Sequence, residues 1–110
     1  GNVYSFGYNG EGQCGHYERG YILEPKMIKS MVSNLNIINI GCGGAHSFIQ
    51  CENNGFYLFG DDSFNECSLT ESDKNHVIIP TYINHTFEEL SKGKKIKSIV
   101  LGSLNSIFTV

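Results

Sequence analysis

The chain repeats itself, and that repetition restricts its fold more than any other property. Val3-Tyr4-Ser5-Phe6-Gly7 near the start is matched by Phe56-Tyr57-Leu58-Phe59-Gly60, with Gly7 and Gly60 standing 53 residues apart. At the same spacing Asn9 meets Asp62, Gln13 meets Glu66 and Cys14 meets Cys67. Pro25 and Pro80 follow 55 residues apart, and Ile40–Ser47 faces Ile99–Ser106 at a distance of 59, with Gly43 opposite Gly102. A spacing that widens from 53 to 59 is what small loop insertions leave between otherwise fixed strands. A unit of this length copied in tandem points to a repeat architecture, propellers among them. It divides the 110-residue chain into 1–54 and 55–110.

Each copy reads as four short strands. In the first these are Asn2–Phe6, Pro25–Met31, Asn36–Cys42 and Ala45–Cys51, with Pro25 at a strand start where its missing N–H does least harm. In the second they are Phe56–Phe59, Val77–Asn84, Lys94–Leu101 and Asn105–Val110. The Glu52-Asn-Asn-Gly55 turn between the copies ends in Asn-Gly, a strong hairpin signal. Glycine accounts for 13 residues and proline for 2, which favours tight turns over a linker. Thr86-Phe-Glu-Glu89 has capping-box spacing before Leu90, so a short helical insertion is expected near residues 87–91. Four antiparallel strands per copy make two propeller blades, an all-β fold.

These residues resemble a known family. Gly1 to Gly15, with Val3-Tyr4-Ser5-Phe6-Gly7, Asn9 and Gly12-Gln13-Cys14-Gly15, resembles the opening of an RCC1 (regulator of chromosome condensation) repeat, Cys14 standing where leucine is usual. Pro25 sits where such repeats carry a proline, and Gly43 with His46 is similar to the family's glycine-x-x-histidine strand pair. The second copy is degenerate: Asn65, Glu66 and Ser68 replace the loop's Gly, Gln and Gly, and Asn105 replaces the histidine. The resemblance implies part of a seven-bladed propeller, completed by the remaining blades of a parent chain. Kelch blades share the period and a Gly-Gly pair, but they expect a downstream tryptophan that this chain lacks. On this reading Gly7, Gly12, Gln13, Gly15, Pro25, Gly43, His46, Gly60, Pro80 and Gly102 are structural repeat positions.

The bulk chemistry narrows function mainly by exclusion. Net charge is −3, and the one cationic cluster, Lys92 to Lys97, is too short to supply the basic face that duplex binding needs. No apolar run approaches the ~18 residues of a membrane helix. The four cysteines form no CxxC pair, which suits reduced thiols in an intracellular protein, cytoplasmic or nuclear. Gly10-x-Gly12-x-x-Gly15 spells a dinucleotide fingerprint, but the following residues show no helical period, so it reads as a repeat turn. Cys14 and Cys67 fill equivalent slots and read as small buried hydrophobes. Cys42, His46 and Cys51 lack a fourth ligand at motif spacing, and neither a Cys–His nor a Ser–His pair has an orienting acid. No catalytic residue, metal or cofactor is expected, and the chain reads as a non-enzyme.

Function is then expected in the variable loops. The loop Gly15–Glu24 carries His16, Tyr17, Arg19 and Tyr21, and tyrosine and arginine are favoured interface anchors. The acidic loop Asp61–His76, opening on Asp61 and Asp62, would suit a basic partner. Tyr17, Arg19, Tyr21, Asp61 and Asp62 are therefore the candidate partner-binding residues. The resemblance implies a protein-interaction scaffold whose partner is a small GTPase or a protein of ubiquitin or signalling pathways. The alternative it implies is a part of a guanine-nucleotide exchange factor for a Ran-type GTPase. Two blades with bare lateral faces are also expected to self-associate.

Overall fold

Among the described residues, short runs of aromatic and β-branched residues between glycine-rich turns form eight strands: β1 (Tyr4–Tyr8), β2 (Tyr21–Met27), β3 (Ile37–Cys42), β4 (His46–Cys51), β5 (Phe56–Asp61), β6 (His76–Tyr82), β7 (Ser98–Leu101) and β8 (Ser106–Thr109). The computed structural model describes residues 1–29, 35–52, 55–61, 76–82, 92 and 98–109, with backbone alone for 76–82 and for 108. Every strand pair is antiparallel. The described residues contain no helix, and the helical turn expected near 87–91 lies outside them.

The two copies agree strand by strand in their pairing. Tyr4↔Met27, Ser5↔Lys26, Gly7↔Ile22 and Tyr8↔Tyr21 in β1–β2 correspond to Tyr57↔Tyr82, Leu58↔Thr81, Gly60↔Val77 and Asp61↔His76 in β5–β6. Even the irregularity recurs, between Ser5 and Gly7 and again between Leu58 and Gly60. In the other half Ile40↔Ile49, Gly41↔Phe48 and Cys42↔Ser47 correspond to Ile99↔Phe108, Val100↔Ile107 and Leu101↔Ser106. The turns close alike, Gly43 N–H donating to His46 O at 2.7 Å and Gly102 N–H to Asn105 O at 2.8 Å.

Sheet membership departs from the expected pair of four-stranded blades. The strands group as β1-β2, then β3-β4-β5-β6, then β7-β8. Among the described residues the four-stranded sheet takes its first two strands from before residue 54 and its last two from after it, so sheet and repeat are out of phase by one hairpin. The cause is the short turn after Cys51, whose N–H donates to Gly55 O at 2.8 Å. That turn folds β5 directly back on β4, whereas longer connections separate β2 from β3 and β6 from β7.

Pro25 also sits elsewhere than expected. It lies inside β2, which begins at Tyr21, and falls in a bulge where Ser5↔Lys26 gives way to Gly7↔Ile22. A bulge leaves residues unpaired, so a proline without an N–H costs the ladder nothing there. Gly7 and Gly60 lie within strands at these bulges, with φ of +112° and +114°.

The core forms around β4 and β5. Ile28, Phe48, Ile49, Cys51, Phe56, Tyr57, Leu58, Phe59 and Ile99 are buried together, with Val3, Leu35, Ile37 and Leu101 packed against them. Both faces of β5 are covered, which is why Phe56-Tyr57-Leu58-Phe59 is an unbroken apolar run and not an alternation. Each such side chain contributes about 1.5–3 kcal/mol on burial. Toward the first hairpin, Ser47 Oγ donates to Gln13 O at 2.8 Å. Toward the last, the His46 ring meets Asn105 O at 3.2 Å and Ser106 Oγ at 3.1 Å. Because a carbonyl only accepts, His46 Nε2 carries the proton.

Candidate functional site

The connection between β1 and β2 is organised by one side chain. Asn9 is fully buried, and its Nδ2 donates to His16 O at 3.1 Å and to Glu18 O, while its Oδ1 accepts Cys14 N–H at 2.8 Å. Its own N–H donates to Gly20 O at 2.5 Å, and its carbonyl accepts Gly12 N–H at 3.2 Å. A second turn follows, Gly15 N–H donating to Gly12 O at 2.9 Å. The Gly10-x-Gly12-x-x-Gly15 string is thus a pair of tight turns, with no helix after it to receive a phosphate. Gln13 Oε1 accepts Glu11 N–H at 2.9 Å, so this repeat position braces the turn from within.

Beneath the loop lies a small polar cluster. Ser5 Oγ donates to Cys14 O at 2.5 Å, which uses its single proton, so the 2.9 Å contact with His16 Nε2 is donated by the ring. The hydroxyl is therefore not aimed at histidine as a nucleophile's would be. Cys14 is buried, as expected of a small hydrophobe, and its thiol donates to Tyr8 O at 3.4 Å. Burial, reinforced by nearby Cys42, raises its pKa against a lowering hydrogen bond from Ser5, and burial alone raises that of Cys51.

His16, expected among the loop's surface residues, is buried instead. Burial and then the Lys26 charge lower its pKa from the ordinary 6.5, opposed by a hydrogen bond with the Lys26 backbone. The folded state therefore binds this proton more weakly than the unfolded chain. The contribution to stability is complete above pH ~6.5 and is lost as pH falls below that value through the folded-state pKa. Urea midpoints should drop on acidification from pH 7.5 to 5.5, and a His16→Gln variant should show a shallower drop. Equal slopes would remove His16 from the account.

Above this base the loop displays its aromatic and cationic groups. Tyr17, Tyr21, Tyr8 and Leu23 are exposed. The Tyr8 and Tyr21 rings are tilted against one another, 5.4 Å between centroids, at the register pair that opens the hairpin. Arg19 Nη1 donates to Gly10 O at 3.2 Å, and Glu18 pairs with Lys26. Tyr17, Arg19 and Tyr21 thus share one hairpin end, although Tyr21 belongs to β2 and not to the loop. Asp61 closes β5 at the place in the second copy that Tyr8 holds in the first, its N–H donating to Ala45 O at 2.9 Å. Asp62 lies outside the described residues, as does Cys67, and of Pro80 only the backbone is described, within β6. The sequence reading missed Tyr8 and Asn9 as site builders. The signal for Asn9 was a polar residue fixed ahead of three glycines.

A second feature is the close approach of two turns. Gly44 N–H donates to Gly102 O at 3.2 Å. A Cβ on Gly43 would lie 2.6 Å from Gly102 O, and one on Gly44 would lie 2.6 Å from Ser103 O. Glycine is required there by backbone proximity. Cys42 is exposed at the end of β3, and Cys51 is buried at the far end of β4 from His46, so these three residues are not gathered. No helix among the described residues is long and apolar enough to cross a membrane.

Comparison with known proteins agrees with this architecture. The family model "Regulator of chromosome condensation (RCC1) repeat" matches residues 1–50. Protein RCC2 homolog of Xenopus laevis is 32% identical over 69 residues, 63% of this chain and 13% of that protein. The E3 ubiquitin-protein ligase HERC2 of Homo sapiens is 27% identical over 103 residues, 94% of this chain and 2% of that protein. Among solved structures, Prp20p of Saccharomyces cerevisiae, described with its binding to Gsp1p and histones, superposes with a TM-score of 0.79 at 25% identity, covering 99% of this chain and 27% of that one. The chain therefore spans a small part of each relative. Residues 1–50 are thus an RCC1-type repeat, and the second copy repeats its strand register.

Proposed function

We propose that this RCC1-type segment is a protein-interaction scaffold, and that the hairpin end carrying Tyr8, Tyr17, Arg19 and Tyr21 is its contact surface. The supporting observation is preorganisation. Exposed tyrosines stand on a loop whose backbone is already fixed by a buried asparagine, so little ordering entropy remains to oppose binding. The segment acts by binding and not by catalysis. Free thiols at Cys14, Cys42 and Cys51 suit a reducing compartment, cytoplasm or nucleus. Capture from cell extract with the chain and with a Tyr17→Ala/Arg19→Ala/Tyr21→Ala variant tests the surface. A direct partner should bind the variant at least about tenfold more weakly, as loss of anchor residues does. Partners that bind both equally would refute the assignment.

A second reading is participation in nucleotide exchange on a Ran-type GTPase, favoured by the likeness to Prp20p and its binding to Gsp1p. The scaffold reading expects no acceleration of fluorescent-GDP release from such a GTPase by catalytic amounts of the chain. Acceleration would favour exchange.

A further inference from the structure

Two free thiols come together where the first hairpin meets the four-stranded sheet. Cys14 sits in the connection between β1 and β2, and Cys42 ends β3. Their approach is set by Ser47, which stands directly opposite Cys42 in the β3–β4 ladder and whose Oγ donates to Gln13 O at 2.8 Å. Opposed residues of an antiparallel pair present their side chains on one face, with Cβ atoms about 4.5–5.5 Å apart. Cys42 therefore shares the face that Ser47 turns toward the Gln13-Cys14 segment. Cys14, Cys42, Gln13 and Ser47 line a single cavity of about 480 Å³. Burial and then the Cys42 charge raise the pKa of Cys14, so the two sulfurs lie within electrostatic reach of each other. Both cysteines belong to the first copy, and their approach is made by contacts within it. Cys51 is buried at the far end of β4, away from this pair.

We propose that Cys14 and Cys42 form a reversible disulfide when the chain meets hydrogen peroxide, a covalent clamp between the first hairpin and the four-stranded sheet. Cys42, the exposed member, reacts first. Its thiolate sulfur attacks the peroxide, the O–O bond breaks, and Cys42 becomes a sulfenic acid as the first water leaves. The Cys14 sulfur then attacks that sulfenic sulfur. The S–S bond forms, the S–O bond breaks, and the Cys14 proton departs with the oxygen as the second water. Two thiols lose two electrons and one peroxide gains them. A dithiol reverses the bond by exchange. Burial keeps Cys14 protonated, so on its own it is a poor target for peroxide. The bond displaces one weak contact, the Cys14 thiol to Tyr8 O. Among the described residues the first hairpin and the four-stranded sheet share no strand pairing, so the disulfide joins two separate sheets. It also closes a loop containing β2, which restricts the unfolded chain. The clamp does not involve the loop tyrosines, and it stands whether or not the scaffold reading does.

Hydrogen peroxide added in small excess to the reduced chain at neutral pH should yield a monomer two hydrogens lighter, at a rate independent of chain concentration. Proteolytic mapping should give one linked peptide, Cys14 to Cys42, that a dithiol separates. Cys42→Ser, at an exposed position, should lose the bond entirely, whereas Cys51→Ser and Cys67→Ser should form it as the parent does. Cys14→Ser should leave Cys42 as a sulfenic acid that dimedone traps. The urea midpoint of the oxidised chain should lie above that of the reduced chain and return on reduction. A bond from Cys42 to Cys67 or to a second chain, full alkylation of both thiols after peroxide, or a midpoint that does not rise would each overturn the proposal. The Tyr17/Arg19/Tyr21 triple variant should oxidise as the parent does, which separates this result from the partner-binding test.

Discussion

Gly60→Ala will destabilise the chain by about 4 kcal/mol, while the equivalent Gly7→Ala will cost only about 2 kcal/mol. The two glycines share a backbone conformation, φ +114° and +112°, so an alanine at either carries the same left-handed strain. Their surroundings differ. A Cβ on Gly7 would meet nothing within 4 Å, whereas one on Gly60 would run into Ala45 O and lie 2.7 Å from His46 Cα. Those are main-chain atoms of the adjoining strand and cannot rotate aside. With total stabilities of such domains near 5–15 kcal/mol, the Gly60 variant should lose from about a quarter to most of its stability. Urea titrations at constant slope measure the difference directly. Equal losses at the two sites would mean that β4 does not lie against Gly60 as described.

Asn9→Ala should cost about 3 kcal/mol, because it strands the N–H of buried Cys14 and the carbonyl of buried His16 and also breaks the bond to Glu18 O. Replacing a hydrogen-bonded pair with apolar groups is mild, but removing one partner leaves the others without water or protein to bond. Asn9→Asp keeps the acceptor for Cys14 N–H and turns a carboxylate oxygen toward two carbonyls, so at neutral pH it should be no better than alanine. The loop's tyrosines should lose their fixed setting in both variants. Denaturation midpoints together with protease cleavage after Arg19 would show it. A loss below about 1 kcal/mol for Asn9→Ala would mean that the loop holds its shape by other contacts.

Much of the fold was legible because copied strands betray themselves. The eight described strands lie within a few residues of where the repeat places them, and the paired spacings Gly7/Gly60 and Gly43/Gly102 hold in three dimensions. The phase of the sheets was marked at one place alone, the Asn54-Gly55 hairpin signal between Cys51 and Phe56. A tandem repeat of four strands has the same periodicity wherever it is cut, so spacing alone does not say that β4 joins β5. The start of β2 was misplaced for a different reason. Glu24-Pro25 looks like a boundary, although Tyr21-Ile22-Leu23 already alternates exposed, buried, exposed. The bulge that lets the strand run through a proline is a property of its partner, and it leaves no mark in the local sequence. For the candidate site, Tyr17 and Arg19 were readable as exposed, but His16 was not readable as buried. Its ring packs down onto β1, where it meets Ser5 eleven positions away.

The overlap between repeat and sheet works like brickwork laid in running bond, where each joint in one course is bridged by the course above. A duplicated unit of this kind cannot settle as an independent neighbour, because half of it completes the sheet of the unit before it. Its strands are then held by contacts with the first copy. Substitutions such as Asn105 for histidine fall on a structure that another segment already braces: His46 of the first copy still reaches across to Asn105 and Ser106. Sequence drift in one course is thereby tolerated so long as the adjoining course keeps its own residues.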